Sequence, residues 1–399
     1  MVLLATGLAC GIVFGRYTRG TYAVIAMCLF LVMLAASIPL NRRAMTVFLT
    51  GAALGFARML PHIADATGPL AEGSVYALAN AHIVLPEGVT RVAEAIYTRC
   101  DALFLEASPL VRAIVLGDTS KLSYFDNEAF RAAGVSHILA LSGLNASILA
   151  ALIALVIPKR RPGLRFLVVA AFLLVYCLLT AFPASLVRAC TMSLCMLAAP
   201  VLKRKNDPLS SLALAFALIV LPLPFSLFSA GFQLSFAATA GILMLYQPLR
   251  ARLTKLPSPL AADAALTLSA TLATLPFTLA IFGRLPLYSL IANLVVVPLV
   301  TLSLPLAIAA LIADCLFHPL GAALAFAVRL LAGAADYLSK AYASIPYSVL
   351  RFEKPSALAC ALFLAALVFL SKYCLLKSGK KYAIASSLVA LSTLSLLLL

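Results

Sequence analysis

Long apolar blocks separated by short polar connections run through most of this chain. They fall at about 2–15, 21–40 and 44–60, then at 134–158, 166–182, 185–202, 209–224 and 229–247, and finally at 260–282, 286–314, 320–345, 356–376 and 382–399. A helix needs ~20 residues to cross the hydrocarbon core of a bilayer, and most of these blocks approach or exceed that length. Inside lipid the backbone must satisfy its own hydrogen bonds, so such blocks predict helices. The pattern is that of an all-α, polytopic membrane protein with about 13 transmembrane segments, where Pro298 and Pro305 can divide one long segment into two.

The longest interruption covers 61–133. It carries Pro, Gly and acidic residues up to Gly88 and then a helical pattern from Val89 to about Val115. There Val92, Ile96, Leu103, Ala107 and Leu110 alternate with Arg91, Glu94, Arg99, Asp101 and Glu106, which predicts helices lying along the membrane surface or capping a bundle. Three zones result: N-terminal transmembrane helices over 1–60, an extracytoplasmic region with interfacial amphipathic helices over 61–133, and transmembrane core and C-terminal helices over 134–399. Gly7, Gly11 and Gly15, and again Gly51 and Gly55, have the spacing that lets helix backbones approach closely.

The chain is organised around Gly117 to Val156. A short amphipathic helix places Phe125, Ala129, Phe130 and Ala133 on one face and Asp126, Asn127, Glu128 and Arg131 on the other, and Gly134 is suited to a left-handed cap. Beyond Gly134 the chain is apolar enough to enter a membrane, yet it takes Ser136, His137, Ser142, Gly143 and Asn145 with it. On a continuous helix His137, Leu141 and Asn145 form a stripe flanked by Ser142. If Ser142-Gly143 breaks the helix instead, the freed backbone groups must be buried in protein or line a cavity. Two roles are open for these groups: hydrogen bonds that bind helices together, or the wall of a wetted conduit. Arg188 at the start of an apolar helix, Gln233 within one crossing and Asn293 within another extend the same set.

Composition narrows the class. The chain has 64% hydrophobic and only 11% charged residues, and its 30 Lys and Arg exceed its 14 Asp and Glu to leave a net charge of +16. That excess is concentrated in short loops, chiefly Lys159, Arg160, Arg161 and Arg165, then Lys203, Arg204 and Lys205, then Arg250, Arg252 and Lys255. Two crossings separate each neighbouring pair of clusters, so all three face one side, which the positive-inside rule makes cytoplasmic. Asn41-Arg42-Arg43 and the Lys372 to Lys381 tail agree, Arg16 and Arg19 do not, and parity then puts 61–133 outside. The same basic residues can also attract phosphates.

Other chemistries find no motif. There is no HExxH, no GxSxG around Ser142, no P-loop and no Gly-rich dinucleotide turn. The four His, at 62, 82, 137 and 318, are scattered, and the nine Cys include no CxxC pair. No catalytic residue, metal or cofactor is therefore expected. Asp263, Asp314 and Asp336 lie near or within late crossings, where proton-coupled carriers commonly keep their acids.

Several ordered motifs carry a resemblance. Ala113-Ile-Val-Leu-Gly-Asp-Thr-Ser120, Phe130-Arg-Ala-Ala-Gly134 and Ser136-His-Ile-Leu-Ala-Leu-Ser-Gly-Leu144 come first, followed by Ser185-Leu-Val-Arg-Ala189, Asp207-Pro-Leu-Ser-Ser-Leu-Ala-Leu-Ala215, Gly231-Phe-Gln-Leu-Ser-Phe236 and Pro286-Leu-Tyr-Ser-Leu-Ile-Ala-Asn293. Over about 85–310 this resembles the ComEC competence family, the inner-membrane DNA channel of natural transformation. The resemblance implies a bacterial inner-membrane protein that passes single-stranded DNA into the cytoplasm, supplied by an outside DNA receptor and drawn by a cytoplasmic helicase-like motor. His137, Ser142 and Gly143 then match the central motif, Arg188 the following arginine helix, and Gln233 and Asn293 later polar positions; Asn145 replaces the family's usual His. No OB-type or metallo-β-lactamase-like domain is legible, so strand degradation is expected of a separate nuclease-like partner. The alternatives are a small-molecule or lipid-linked carrier on a similar core, or a degenerate member that transports nothing. Oligomeric state is not legible.

Overall fold

The computed structural model describes residues 5–9, 12, 51, 54–55, 85–139, 141–352, 355–372 and 378–397. The three expected crossings within 1–60 therefore lie largely outside the described residues. The helices in chain order are α1 (Glu87–Phe104), α2 (Ser108–Leu116), α3 (Tyr124–Ala132), α4 (Gly143–Val156), α5 (Pro162–Leu179), α6 (Ala184–Val201) and α7 (Pro208–Val220), then α8 (Ala230–Arg250), α9 (Ser258–Phe282), α10 (Ser289–Leu316), α11 (His318–Ser344), α12 (Ala357–Leu370) and α13 (Ser378–Leu397). Among the described residues the only strands are β1 (Arg284–Pro286) and β2 (Val349–Arg351), an antiparallel pair with Leu285 opposite Leu350.

The fold is all-α and polytopic. Among the described residues α5, α6, α9, α10 and α11 are long and apolar enough to cross a membrane, and α4, α7, Leu358–Leu370 and Tyr382–Thr393 are shorter apolar helices. Pro298 and Pro305 do not divide the segment that holds them: both lie inside the single 28-residue α10. At 1.5 Å per residue such a helix is roughly 42 Å long, more than the hydrocarbon core requires.

The chain forms two compact units. One contains 82–206 and 284–351, that is α1 to α6, α10, α11 and the strand pair. Its core runs from Cys100, Phe104 and Ile114 through Phe130 and Leu173 to Val296, Leu304, Val328 and Ala335. The other contains 1–81, 207–283 and 352–399. There Leu245, Ala273 and Leu367 meet between α8, α9 and α12, and Gly55 leaves room for the backbone of Leu8.

In the first unit, α10 and α11 form a long helical hairpin whose turn lies at Phe317. The segment before α4 does not lie flat along one end of it. Arg99 of α1 pairs with Asp314 in the last turn of α10, with Nε 2.9 Å from Oδ2. Gly134, at the far end of the segment, is seated on Ser289 in the first turn of α10. Residues 99–134 thus run alongside the hairpin from its closed end to its open end. The cause is visible in α2, where eight of nine residues are buried: apart from Ser108 and Arg112 the helix is apolar, and a helix of that kind packs into a core.

Candidate functional site

The apolar block at 134–158 is not one crossing helix. After α3 the chain closes in a Schellman motif, in which Gly134 N–H donates to the Arg131 carbonyl and Val135 N–H to the Phe130 carbonyl, with Gly134 at φ 76°. The motif buries Phe130 and Val135 completely, whereas Phe125, expected on the same apolar face, is 80% exposed. With nine residues, α3 has room for one buried stripe, and ion pairs of Asp126 with Lys340 and Glu128 with Arg284 decide which face turns inward. A 3₁₀ turn, Ser136–Ile138, follows, and then extended backbone at Ser142, so that α4 starts only at Gly143 and has 14 residues.

Four of the expected site residues meet at this start. The Ser142 hydroxyl accepts the Asn145 backbone N–H at 3.4 Å, an N-cap, and donates to Asn145 Oδ1 at 3.0 Å. Asn145 is only 5% exposed, and its Nδ2 donates to the Ile114 carbonyl at 3.1 Å. The Ser185 hydroxyl donates to the Leu141 carbonyl at 2.5 Å, tying the start of α6 to the break. The Arg188 guanidinium lies directly on Gly143, where a Cβ would run into it and would also come within 3.2 Å of Ala189 Cβ. A cation thus sits against the first residue of α4, and glycine is the residue that admits it.

The break also completes α2. The last carbonyls of a helix have no partner within it. Here the Ala113 carbonyl accepts Gly117 N–H, the Ile114 carbonyl accepts Asn145 Nδ2, and the Val115 carbonyl accepts the Tyr176 hydroxyl at 2.8 Å. Side chains from α4 and α5 thereby close the C-terminus of a buried helix.

The other candidates are distributed. His137 stands exposed on the 3₁₀ turn. Asn293 lies in the second turn of α10, half-buried, with Oδ1 buried and without a hydrogen-bond partner among the described residues. Gln233 belongs to the other unit, where its Nε2 donates to the Leu227 carbonyl at 3.2 Å and closes a local turn before α8. Lys159, Arg160 and Arg161, between α4 and α5, and Lys203, Arg204 and Lys205, after α6, are all exposed.

A second polar centre was not among the sequence candidates. Arg112 of α2, 7% exposed, pairs with both Asp101 and Asp118 and lies 4.3 Å from the Tyr97 ring centroid. Asp101 also takes Lys121 Nζ at 2.7 Å and the Ser108 hydroxyl at 2.5 Å. Hydrogen bonds from Lys121, then Ser108, then Arg112 hold its carboxyl at about 2. Burial pushes Asp118 the other way, but bonds from Ser120 and Arg112 leave it below the usual carboxylate range. A lone Arg within Ser108–Leu116, an otherwise apolar run, was the available signal, because a buried cation requires carboxylates.

Comparison with known proteins bears on what this arrangement serves. The family model for competence proteins matches residues 114–377, about two thirds of the chain. The chain belongs to the ComEC competence protein family. ComE operon protein 3 of Bacillus subtilis (strain 168) is 30% identical over 207 residues, a stretch that covers 49% of this chain and 25% of that relative. No solved structure matches the chain. The competence match starts at Ile114, whose carbonyl Asn145 holds, and so takes in the whole broken segment together with Arg188.

Proposed function

We propose that this protein passes single-stranded DNA through the bacterial inner membrane into the cytoplasm during natural transformation, with no catalytic step of its own. The observation that carries the reading is the competence-family match across the break at Ser142-Gly143, where Arg188 is packed on the start of α4. Arg188 meets phosphates at the mouth of the path, and His137, Ser142, Asn145 and Asn293 offer uncharged groups along it. Within this reading the carbonyl bond of Asn145 gives it a second task, holding the break in shape. Lys159 to Arg161 and Lys203 to Lys205 receive the strand on the cytoplasmic side or fix topology there. A DNA receptor outside and a helicase-like motor inside are the partners the reading requires. The carrier alternative has less support, because Asp314 is engaged by Arg99 and His318 and Asp336 by Lys340.

The test is a deletion strain complemented with wild type, Arg188→Ala or Arg188→Lys, in which nuclease-protected DNA outside the inner membrane and DNA arriving in the cytoplasm are scored separately. The deletion is expected to abolish cytoplasmic arrival while external protection persists, and Arg188→Lys is expected to retain more passage than Arg188→Ala. Normal cytoplasmic arrival in the deletion strain would refute the reading.

A further inference from the structure

Cys177, in the last turn of α5, and Cys190, in the second turn of α6, face each other with their Sγ atoms 3.5 Å apart. Both thiols are buried, and they are separated in the chain by a tight reversal, Thr180 to Pro183. Two features pin that reversal. Phe182 N–H donates to the Cys177 carbonyl, and Ala181 and Phe182 both adopt positive φ, 58° and 54°. A disulfide requires that two Cβ vectors converge across a short span, and a thiol contact at this distance has already brought the sulfurs nearly together.

A cleft of about 120 Å³ opens beside the pair. Both cysteines line it, together with Leu173, Phe182, Val187 and Thr191. A small oxidant can therefore reach sulfurs that are otherwise packed away. The orientation set by the basic loops puts this end of α5 and α6 in the non-cytoplasmic half, on the side where disulfides form and persist.

We infer that Cys177 and Cys190 form a redox-active pair that closes to an intramolecular disulfide joining α5 to α6. In the closing reaction one thiol, as thiolate, attacks an oxidised dithiol donor of the extracytoplasmic space and gives a mixed disulfide. The second thiol then attacks the protein sulfur of that intermediate. One S–S bond forms in the protein, the donor's S–S bond is reduced to two thiols, and the two protons lost by the cysteines end on them. Because Cys190 lies two residues after Arg188, closure fixes the helix that carries the guanidinium seated on Gly143.

Trypsin offers a direct readout, since cleavage after Arg165, Arg188 and Lys203 places Cys177 and Cys190 in separate peptides. Membranes containing the full chain are treated with diamide, blocked with N-ethylmaleimide, solubilised and digested without reductant. Peptides 166–188 and 189–203 are expected as a linked pair that reductant abolishes. The second peptide also contains Cys195, so Cys195→Ser must keep the link and Cys190→Ser must lose it. Absence of the link in wild type, or its persistence in Cys190→Ser, would overturn the inference. The readout is independent of DNA passage, so it stands or falls apart from the proposed function.

Discussion

At the scale of single residues, the side chains around the break serve structure through bonds that sequence alone does not foretell. Asn145 is the clearest case. Its position among apolar residues marks it as a residue with a task, but the partner is a backbone carbonyl 31 positions earlier. Asn145→Ala strands the Ile114 carbonyl and removes the acceptor of the Ser142 hydroxyl, so a loss of roughly 1–3 kcal/mol is expected. Tyr176→Phe strands only the Val115 carbonyl, and a loss of about 1 kcal/mol is expected from thermal or denaturant unfolding in detergent. If Asn145→Ala unfolds at the wild-type midpoint, the capping role assigned to it fails. Gly134 was legible where Asn145 was not, because a glycine directly after a short amphipathic helix predicts a left-handed cap from local chemistry alone. Its second constraint is tertiary: a Cβ there would stand 2.5 Å from Ser289 Cβ and 2.8 Å from Pro286 Cγ. Gly134→Ala therefore combines a strained φ with overpacking, and a loss of about 2–4 kcal/mol is expected in the same assay.

At the scale of elements, hydropathy located the helices of the described region well and misjudged what some of them touch. The run through 89–115 has the alternation of a surface helix, yet α2 is enclosed, because periodicity reports an apolar face and not what lies against it. Prolines misled for a related reason: Pro298 and Pro305 each remove one backbone donor, and neighbouring packing holds α10 together through both. The charge cluster that joins α1 to α2 gives a prediction in pH. Asp101 titrates at about 2 in the fold, chiefly through Lys121 and Ser108, against an unperturbed carboxyl at 3.8. A group whose folded pKa is depressed stabilises the fold fully above its unfolded pKa, and that contribution disappears as pH falls through the folded value. The unfolding midpoint is therefore expected to drop between about pH 4 and pH 2, and Asp101→Asn to shallow that drop while lowering the midpoint above it. Equal slopes for wild type and Asp101→Asn in a pH series would show that the lysine and serine bonds do not couple to folding.

At the scale of the molecule, the reading depends on which end of the first unit faces the cytoplasm, and the unit's own connections make that testable. Gly134 is held against Ser289, and nine residues later α4 begins, so α4 starts near the open end of the α10–α11 hairpin. It runs away from that end, α5 returns and α6 runs away again, because each connection is too short for anything but antiparallel neighbours. The two exposed basic loops after α4 and α6 therefore share one side, as their spacing in the sequence already implied. Tyr347, 82% exposed, marks the other side, since Leu287 N–H beside β1 donates to the adjacent Ser348 carbonyl. Single cysteines introduced at Arg160, Arg204 and Tyr347 into a chain lacking native cysteines can be probed with a membrane-impermeant maleimide in intact spheroplasts and in inverted vesicles. Positions 160 and 204 are expected to label only in inverted vesicles and position 347 only in spheroplasts. If 160 and 204 label from opposite sides, the antiparallel order of α4, α5 and α6 is wrong. If both label from outside, the order survives but the basic loops face away from the cytoplasm, and a strand drawn inward would meet them first instead of last.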